Sequence, residues 1–207
     1  MDAATKNNYP GRFLMQKEKI NFSEFTDEYF KKIKRATELT SKQNIEILAL
    51  ELASAWREKK QVFIFGNGGS AGNAIHLAND FIYGVSRKFG DALRIHALSA
   101  NPSVITCLAN DEGYGSVFSM QLAVLANPGD LVIALSGSGN SPNIINALEY
   151  CKKEKLKSFA ILGYDGGVSK NLADFSIHTP INDMQISEDM QLILGHILMQ
   201  WLNKTKE

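Results

Sequence analysis

The feature that most limits the fold of this chain is a strand that ends in a hydroxyl-rich loop and restarts at once as a helix. Leu131 to Leu135 is a short, mostly apolar run that reads as a buried strand, and Ser136-Gly137-Ser138-Gly139-Asn140-Ser141 follows without a break. Pro142 then opens an apolar-periodic stretch carrying Ile144, Ile145, Ala147, Leu148 and Cys151. Ser141 suits the N-cap and Pro142 the first helical position, so the hydroxyls gather at a helix N-terminus. Such an end carries about half a positive charge and unpaired N–H groups, which makes it a neutral cradle for a phosphate. An ordinary βα turn needs one serine and one glycine; the excess here points to a phosphorylated small molecule.

VFIFGNGGSAGNAIHLANDF, residues 62 to 81, repeats the design. Gly66, Gly68 and Gly69 let the backbone approach a ligand closely, and Asn67 and Ser70 add polar contacts. The spacing is not the dinucleotide GxGxxG and no P-loop lysine follows, so no nucleotide cofactor is expected. Further short apolar strands fall at 93 to 98, 158 to 162 and 175 to 178. Helical stretches lie near 22 to 37, 41 to 59, 70 to 84, 102 to 109, 114 to 125, 141 to 154, 167 to 172 and 185 to 203. This alternation predicts an α/β fold, a five-stranded parallel sheet covered on both faces and preceded by extra N-terminal helices. Ligands of such sheets sit beyond the carboxyl ends of the strands, where both loops lie.

The chain has 207 residues, enough for one domain with a substantial core; residues 1 to 20 read as a polar arm and 21 to 207 as the domain. Lys plus Arg and Asp plus Glu number 22 each, so the formal charge is zero and nucleic acid is not an expected partner. No apolar run approaches the ~20 residues of a membrane span, and the polar N-terminus shows no signal peptide. Cys107 and Cys151 both fall in apolar-periodic segments and read as reduced core residues of a cytoplasmic protein.

His76 and Asp80 stand at i and i+4, on one helix face. Glu188 and His196 stand eight apart on the last helix, again roughly on one face. Two helices therefore offer two imidazoles and two carboxylates, although surface histidines and solvated carboxylates fit the same spacing. His196 lies inside the apolar run Leu192 to Leu198, where a histidine is expected to be buried or at an interface. His96 and His178 sit in strands and read as structural. The 41 to 59 and 185 to 203 helices carry apolar faces too wide for one sheet contact, which predicts association through helices.

Strand–GNGGS–helix, AND, strand–SGSGNS–helix and a terminal EDMQLILGHILMQ helix together resemble the sugar isomerase (SIS) domain family, specifically the phosphoheptose isomerases. The resemblance spans about residues 41 to 204. It implies a SIS-type, flavodoxin-like, doubly wound three-layer αβα sandwich, and an aldose–ketose isomerase converting sedoheptulose 7-phosphate to D-glycero-D-manno-heptose 7-phosphate for surface polysaccharide. It further implies a cytoplasmic homotetramer with sites between subunits and no membrane association. By motif, Asn67, Gly68, Gly69, Ser70, Asn110 and Asp111 would line the sugar site together with Glu188. Ser136, Gly137, Ser138 and Ser141 would hold the phosphate. Asp80 would be the general base and His196 the general acid, and His76, Asp80, Glu188 and His196 would hold one zinc per subunit.

Three positions depart from the family pattern. Its catalytic glutamate is Asp80 here, its last-helix glutamine is Glu188, and its arginine after the first site helix is replaced by Gly84-Val85, with Arg87 the nearest guanidinium. Asp80 keeps the carboxylate but shortens the arm by one methylene, about 1.5 Å. Misplacement of ~1 Å can cost on the order of 100-fold in rate. These changes leave room for another phosphosugar, or for a non-catalytic scaffold like the DnaA initiator-associating protein.

Overall fold

The computed structural model describes residues 20–85 and 91–205. Its five strands are β1 (Gln61–Gly66), β2 (Arg94–Ala97), β3 (Leu131–Ser136), β4 (Lys157–Leu162) and β5 (Phe175–His178). They form one parallel sheet in the order β2-β1-β3-β4-β5, the doubly wound arrangement expected from the sequence. Successive side chains of a strand point to opposite faces, and both faces of the central strands are buried. Val62, Ile64, Leu131, Ile133 and Leu135 join one core layer, while Phe63, Phe65, Val132 and Ala134 join the other.

The first layer is covered by α1 (Phe22–Leu39), α2 (Lys42–Arg57), α3 (Gly68–Asn79) and α8 (Met184–Thr205). The second is covered by α4 (Pro102–Asp111), α5 (Ser119–Leu125), α6 (Pro142–Glu154) and the single turn α7 (Ser169–Leu172). The helix expected over 70 to 84 divides: α3 ends at Asn79 and a π-helical turn runs from Asp80 to Gly84. The stretch expected over 114 to 125 divides as well, into a 3₁₀ turn at Tyr114–Ser116 and then α5.

Asn21 caps α1 by accepting a hydrogen bond from Ser23 N at 3.0 Å. Two polar contacts then tie α1 to the start of α8. Tyr29 Oη donates to Asp189 at 2.6 Å, and Lys32 Nζ meets Asp183 at 2.8 Å. The hydrogen bond to Asp189 pushes the Tyr29 phenol up to about 12, and the Lys32 ammonium holds Asp183 below the usual carboxylate value.

Several apolar side chains remain exposed. They include Leu50 of α2 and Ile197 and Trp201 of α8, on the two helices whose wide apolar faces were noted in the sequence. Phe22, Phe25 and Phe30 of α1 are exposed too, a face the sequence reading did not single out. Cys151 is buried, and burial pushes its thiol up to about 12. Cys107 corrects the expectation of two core cysteines: it is exposed on α4, a helix with no fully buried residue, and the neighbouring Asp111 raises its thiol. Among the described residues no helix is long and apolar enough to cross a membrane.

Candidate active site

Gly66 of β1 lies level with Leu135 of β3, so the two loops that follow leave the sheet side by side at its carboxyl end. This is also where the strand order reverses, between β1 and its neighbours β2 and β3. Each loop runs into a helix N-terminus, with Asn67 as N-cap of α3 and Ser141 as N-cap of α6. A cavity of about 260 Å³ lies between them. One wall is Asn67, Gly68, Gly69 and Ser70, the other Ser136, Gly137, Ser138 and Ser141, and Met184 and Glu188 of α8 complete it. Nine of the expected contact residues, Glu188 included, thus meet in one place, and among the described residues no lysine or arginine lines the cavity.

The hydroxyls of the serine loop have a set polarity. Ser136 Oγ accepts from Gly139 N at 3.0 Å and Ser138 Oγ accepts from Asn140 N at 3.3 Å. One lone pair of each is taken by the loop's own amides, and neither hydroxyl hydrogen has an acceptor among the described residues, so each can donate to a bound anion. Ser141 occupies the N-cap position but makes no side-chain cap bond; its carbonyl accepts from Ile144 N and Ile145 N instead, both at 3.0 Å. The loop is also clamped from outside: Ser169 Oγ donates to Gly139 O at 2.7 Å and Val168 N donates to Asn140 Oδ1 at 3.0 Å. Gly139 adopts φ +67°, and a Cβ there would overlap the Gly166 carbonyl, so only glycine fits. Ser136→Ala is expected to cost about 1–3 kcal/mol in urea unfolding, because it strands the Gly139 amide in a buried position.

The second cluster lies at the other end of α3. His76 Nε2 and His196 Nε2 stand 3.0 Å apart, and Asp80 Oδ2 is 3.4 Å from the first and 3.3 Å from the second. The rings meet edge to face. Asp80 reaches both imidazoles from a backbone that switches to π geometry at that residue, so the shorter arm does not prevent contact. The close approach of α8 to α3 depends on Gly195, where a Cβ would run into Leu77.

These three residues are a compact set of ligand atoms, all within 4.8 Å of one another. A tetrahedral ion with bonds of about 2.0–2.1 Å separates its ligands by roughly 3.3 Å. The observed edges of 3.0, 3.3 and 3.4 Å therefore suit a zinc-sized cation, with a position left for another ligand. Glu188, expected as a fourth ligand, does not join them. It lies over Gly69 in the serine–glycine cavity, because eight residues advance a helix by about 12 Å.

Other expected residues are placed as follows. Asn110 and Asp111 end α4, where Asn110 Nδ2 donates to Asp111 Oδ1 at 2.7 Å; both are exposed and neither lines the cavity. Gly84 packs under Met199, whose sulfur would stand 3.3 Å from a Cβ there, and Arg87 lies outside the described residues. His178 bonds the Tyr164 carbonyl at 3.0 Å and His96 stacks on Phe63, as structural residues do.

Three polar residues behind the cavity were not anticipated. Asn143, 1 % exposed, exchanges two amide hydrogen bonds with Asn67, at 2.8 and 2.9 Å. Tyr114 Oη donates to Asn67 Oδ1 at 2.9 Å. Gln191, also 1 % exposed, donates to Ser70 Oγ at 3.0 Å and accepts from Asn73 at 2.9 Å. The sequence signals were slight: Gln191 falls one turn after Glu188, and Tyr114 follows Asp111 by three residues.

The SIS domain family model matches residues 24–163. The chain is 36% identical over 151 residues to the phosphoheptose isomerase of a Nitratiruptor species, covering 73% of this chain and 80% of that one. It is 35% identical over 156 residues to phosphoheptose isomerase 2 of Campylobacter jejuni, covering 74% and 76%. Its structure is similar to that of a phosphoheptose isomerase from Neisseria gonorrhoeae, with a TM-score of 0.81 at 25% identity, covering 89% of this chain and all of the other.

Proposed function

The chain belongs to the SIS domain family, within its phosphoheptose isomerases, and from that membership we propose that it interconverts sedoheptulose 7-phosphate and D-glycero-D-manno-heptose 7-phosphate. The observation that carries the reading is the pairing of a serine- and glycine-lined cavity with a His–His–Asp group, both mounted on α3 and α8. The serine loop takes the phosphate through hydroxyl donors and the positive end of α6. Isomerisation of the open-chain ketose moves one proton between carbons and others between oxygens. Asp80 takes the proton from C1 and returns it to C2 by way of the enediol. His196 gives a proton to O2 and takes one from O1. His76, Asp80 and His196 would hold zinc through Nε2, Oδ2 and Nε2, and the ion would supply a Lewis acid for the carbonyl, leaving Asp80 Oδ1 and His196 Nδ1 as the atoms that move the protons.

Cavity and His–His–Asp group stand at opposite ends of α3, a helix about 18 Å long. That separation supports a site built between subunits of a homotetramer. His76 and His196 are half-exposed and flanked by exposed Ile75, Ile82, Tyr83 and Ile197, a surface that association would cover. The expected location is the cytoplasm and the product a precursor of lipopolysaccharide or capsule heptose.

The test is to incubate zinc-supplemented protein with sedoheptulose 7-phosphate and follow it by NMR, with light scattering on the same sample. The aldoheptose 7-phosphate and a tetramer are expected. A folded tetramer without turnover would overturn the substrate assignment in favour of another phosphosugar or a scaffold, and a monomer at micromolar concentration would remove the inter-subunit site.

A further inference from the structure

The hydrogen bonds behind the cavity fix what Asn67 and Ser70 can offer to a ligand. Asn67 Oδ1 accepts from Tyr114 Oη at 2.9 Å and from Asn143 Nδ2 at 2.9 Å, so both of its lone pairs are engaged. One N–H of its amide goes to Asn143 Oδ1 at 2.8 Å; the other has no partner among the described residues. Ser70 is set on one side only. Its Oγ accepts from the buried amide of Gln191 at 3.0 Å, and its hydroxyl hydrogen has no partner among the described residues. Both residues line the cavity, so its glycine-loop wall presents two hydrogen-bond donors, with Asn67 Oδ1 saturated and one lone pair of Ser70 Oγ taken.

Such a pair discriminates between oxygens. A sugar hydroxyl seeks an acceptor as well as a donor, whereas a carbonyl or enediolate oxygen only accepts. Donors fixed in advance stabilise an oxygen that gains charge in the transition state, at no cost of reorganisation. We propose that, in the inter-subunit site, Asn67 Nδ2–H and Ser70 Oγ–H form a preset donor pair for the substrate oxygen that becomes the enediolate. Tyr114, Asn143 and Gln191 are the positioning residues that hold the pair in its donating state. The proposal rests on the isomerase reading above and adds residues that this reading does not use.

The phosphate oxygens are also pure acceptors, and the test separates the two. Two ligands are compared: a phosphorylated aldonohydroxamate, which carries an anionic oxygen like the enediolate's, and the matching heptitol 7-phosphate, which keeps the phosphate but has no carbonyl oxygen. Tyr114→Phe alters only a half-exposed phenol, and Gln191→Met keeps the length of the buried side chain. Each variant is expected to lower kcat and hydroxamate affinity about tenfold while heptitol phosphate binding changes less than about twofold, a smaller loss than deleting a donor outright. Equal weakening of both ligands, or of neither, in a protein whose wild type isomerises would overturn the donor pair alone. A wild type that binds neither ligand and turns nothing over would bring down the isomerase reading, and this inference with it.

Discussion

Asp80→Asn is expected to lower kcat/KM for sedoheptulose 7-phosphate by about 1,000-fold, equivalent to roughly 4 kcal/mol of transition-state stabilisation. Asparagine matches the shape of aspartate and can still accept a hydrogen bond from an imidazole, but it holds no proton and no charge. Asp80 is the carboxylate within reach of both His76 and His196, at 3.4 and 3.3 Å, so no neighbour in that group can replace it. Among the described residues its only other partner is a 3.4 Å contact from Asn79, so thermal unfolding should be almost unchanged. His196→Ala is expected to behave alike. The measurement is the NMR assay in D₂O, following loss of hydrogen from carbon, with zinc affinity determined by competition against a chromogenic chelator. Turnover at the wild-type rate in either variant would show that the His–His–Asp group is not part of the chemistry.

Gly195→Val is expected to be the most damaging change to the fold that also reaches the site. A Cβ at this position would fall among the side-chain atoms of Leu77, which is itself 1 % exposed and has nowhere to move. Replacing glycine within a helix gains up to about 1 kcal/mol from propensity, but overpacking a close helix contact costs about 1–3 kcal/mol and occasionally more. The clash is with the branched end of a buried leucine on the opposing helix, so the loss should win by about 2–3 kcal/mol. For a domain of this size that lowers Tm by roughly 4–12 °C. Leu77 follows His76 and Gly195 precedes His196, so any widening between α3 and α8 also parts the imidazoles. Zinc affinity should therefore fall in Gly195→Val, and less in Gly195→Ala. An unchanged Tm in the valine variant would mean that the close approach at Gly195 does not set the helix spacing.

Much of the architecture was legible because the hydrophobic pattern is clean. Each of the five apolar runs is a strand, and each lies in the parallel sheet that βα alternation requires. The serine and glycine loops were legible for a local reason: Ser141-Pro142 marks a helix start by its own backbone preferences, and the glycines after β1 mark a close backbone approach. The grouping of His76, Asp80 and His196 was half legible. An i, i+4 spacing puts His76 and Asp80 together within one helix, but nothing in the sequence says which turn of α8 will face them. Reading Glu188 and His196 as one set used the helix face and neglected the rise, and the two side chains serve opposite ends of α3.

The order of glycines, serines and apolar residues along the chain by itself determined a parallel sheet covered on both faces with two ligand-suited loops at its carboxyl edge, because these signals are short-range and repeat with the period of each element. Only the tertiary structure decided how the polar side chains are paired. The Tyr114–Asn67–Asn143 and Gln191–Ser70 bonds join residues 47, 76 and 121 positions apart. Hydrogen-bond polarity of that kind depends on which side chains the packed helices bring within 3 Å of one another, and no local pattern along the chain encodes it.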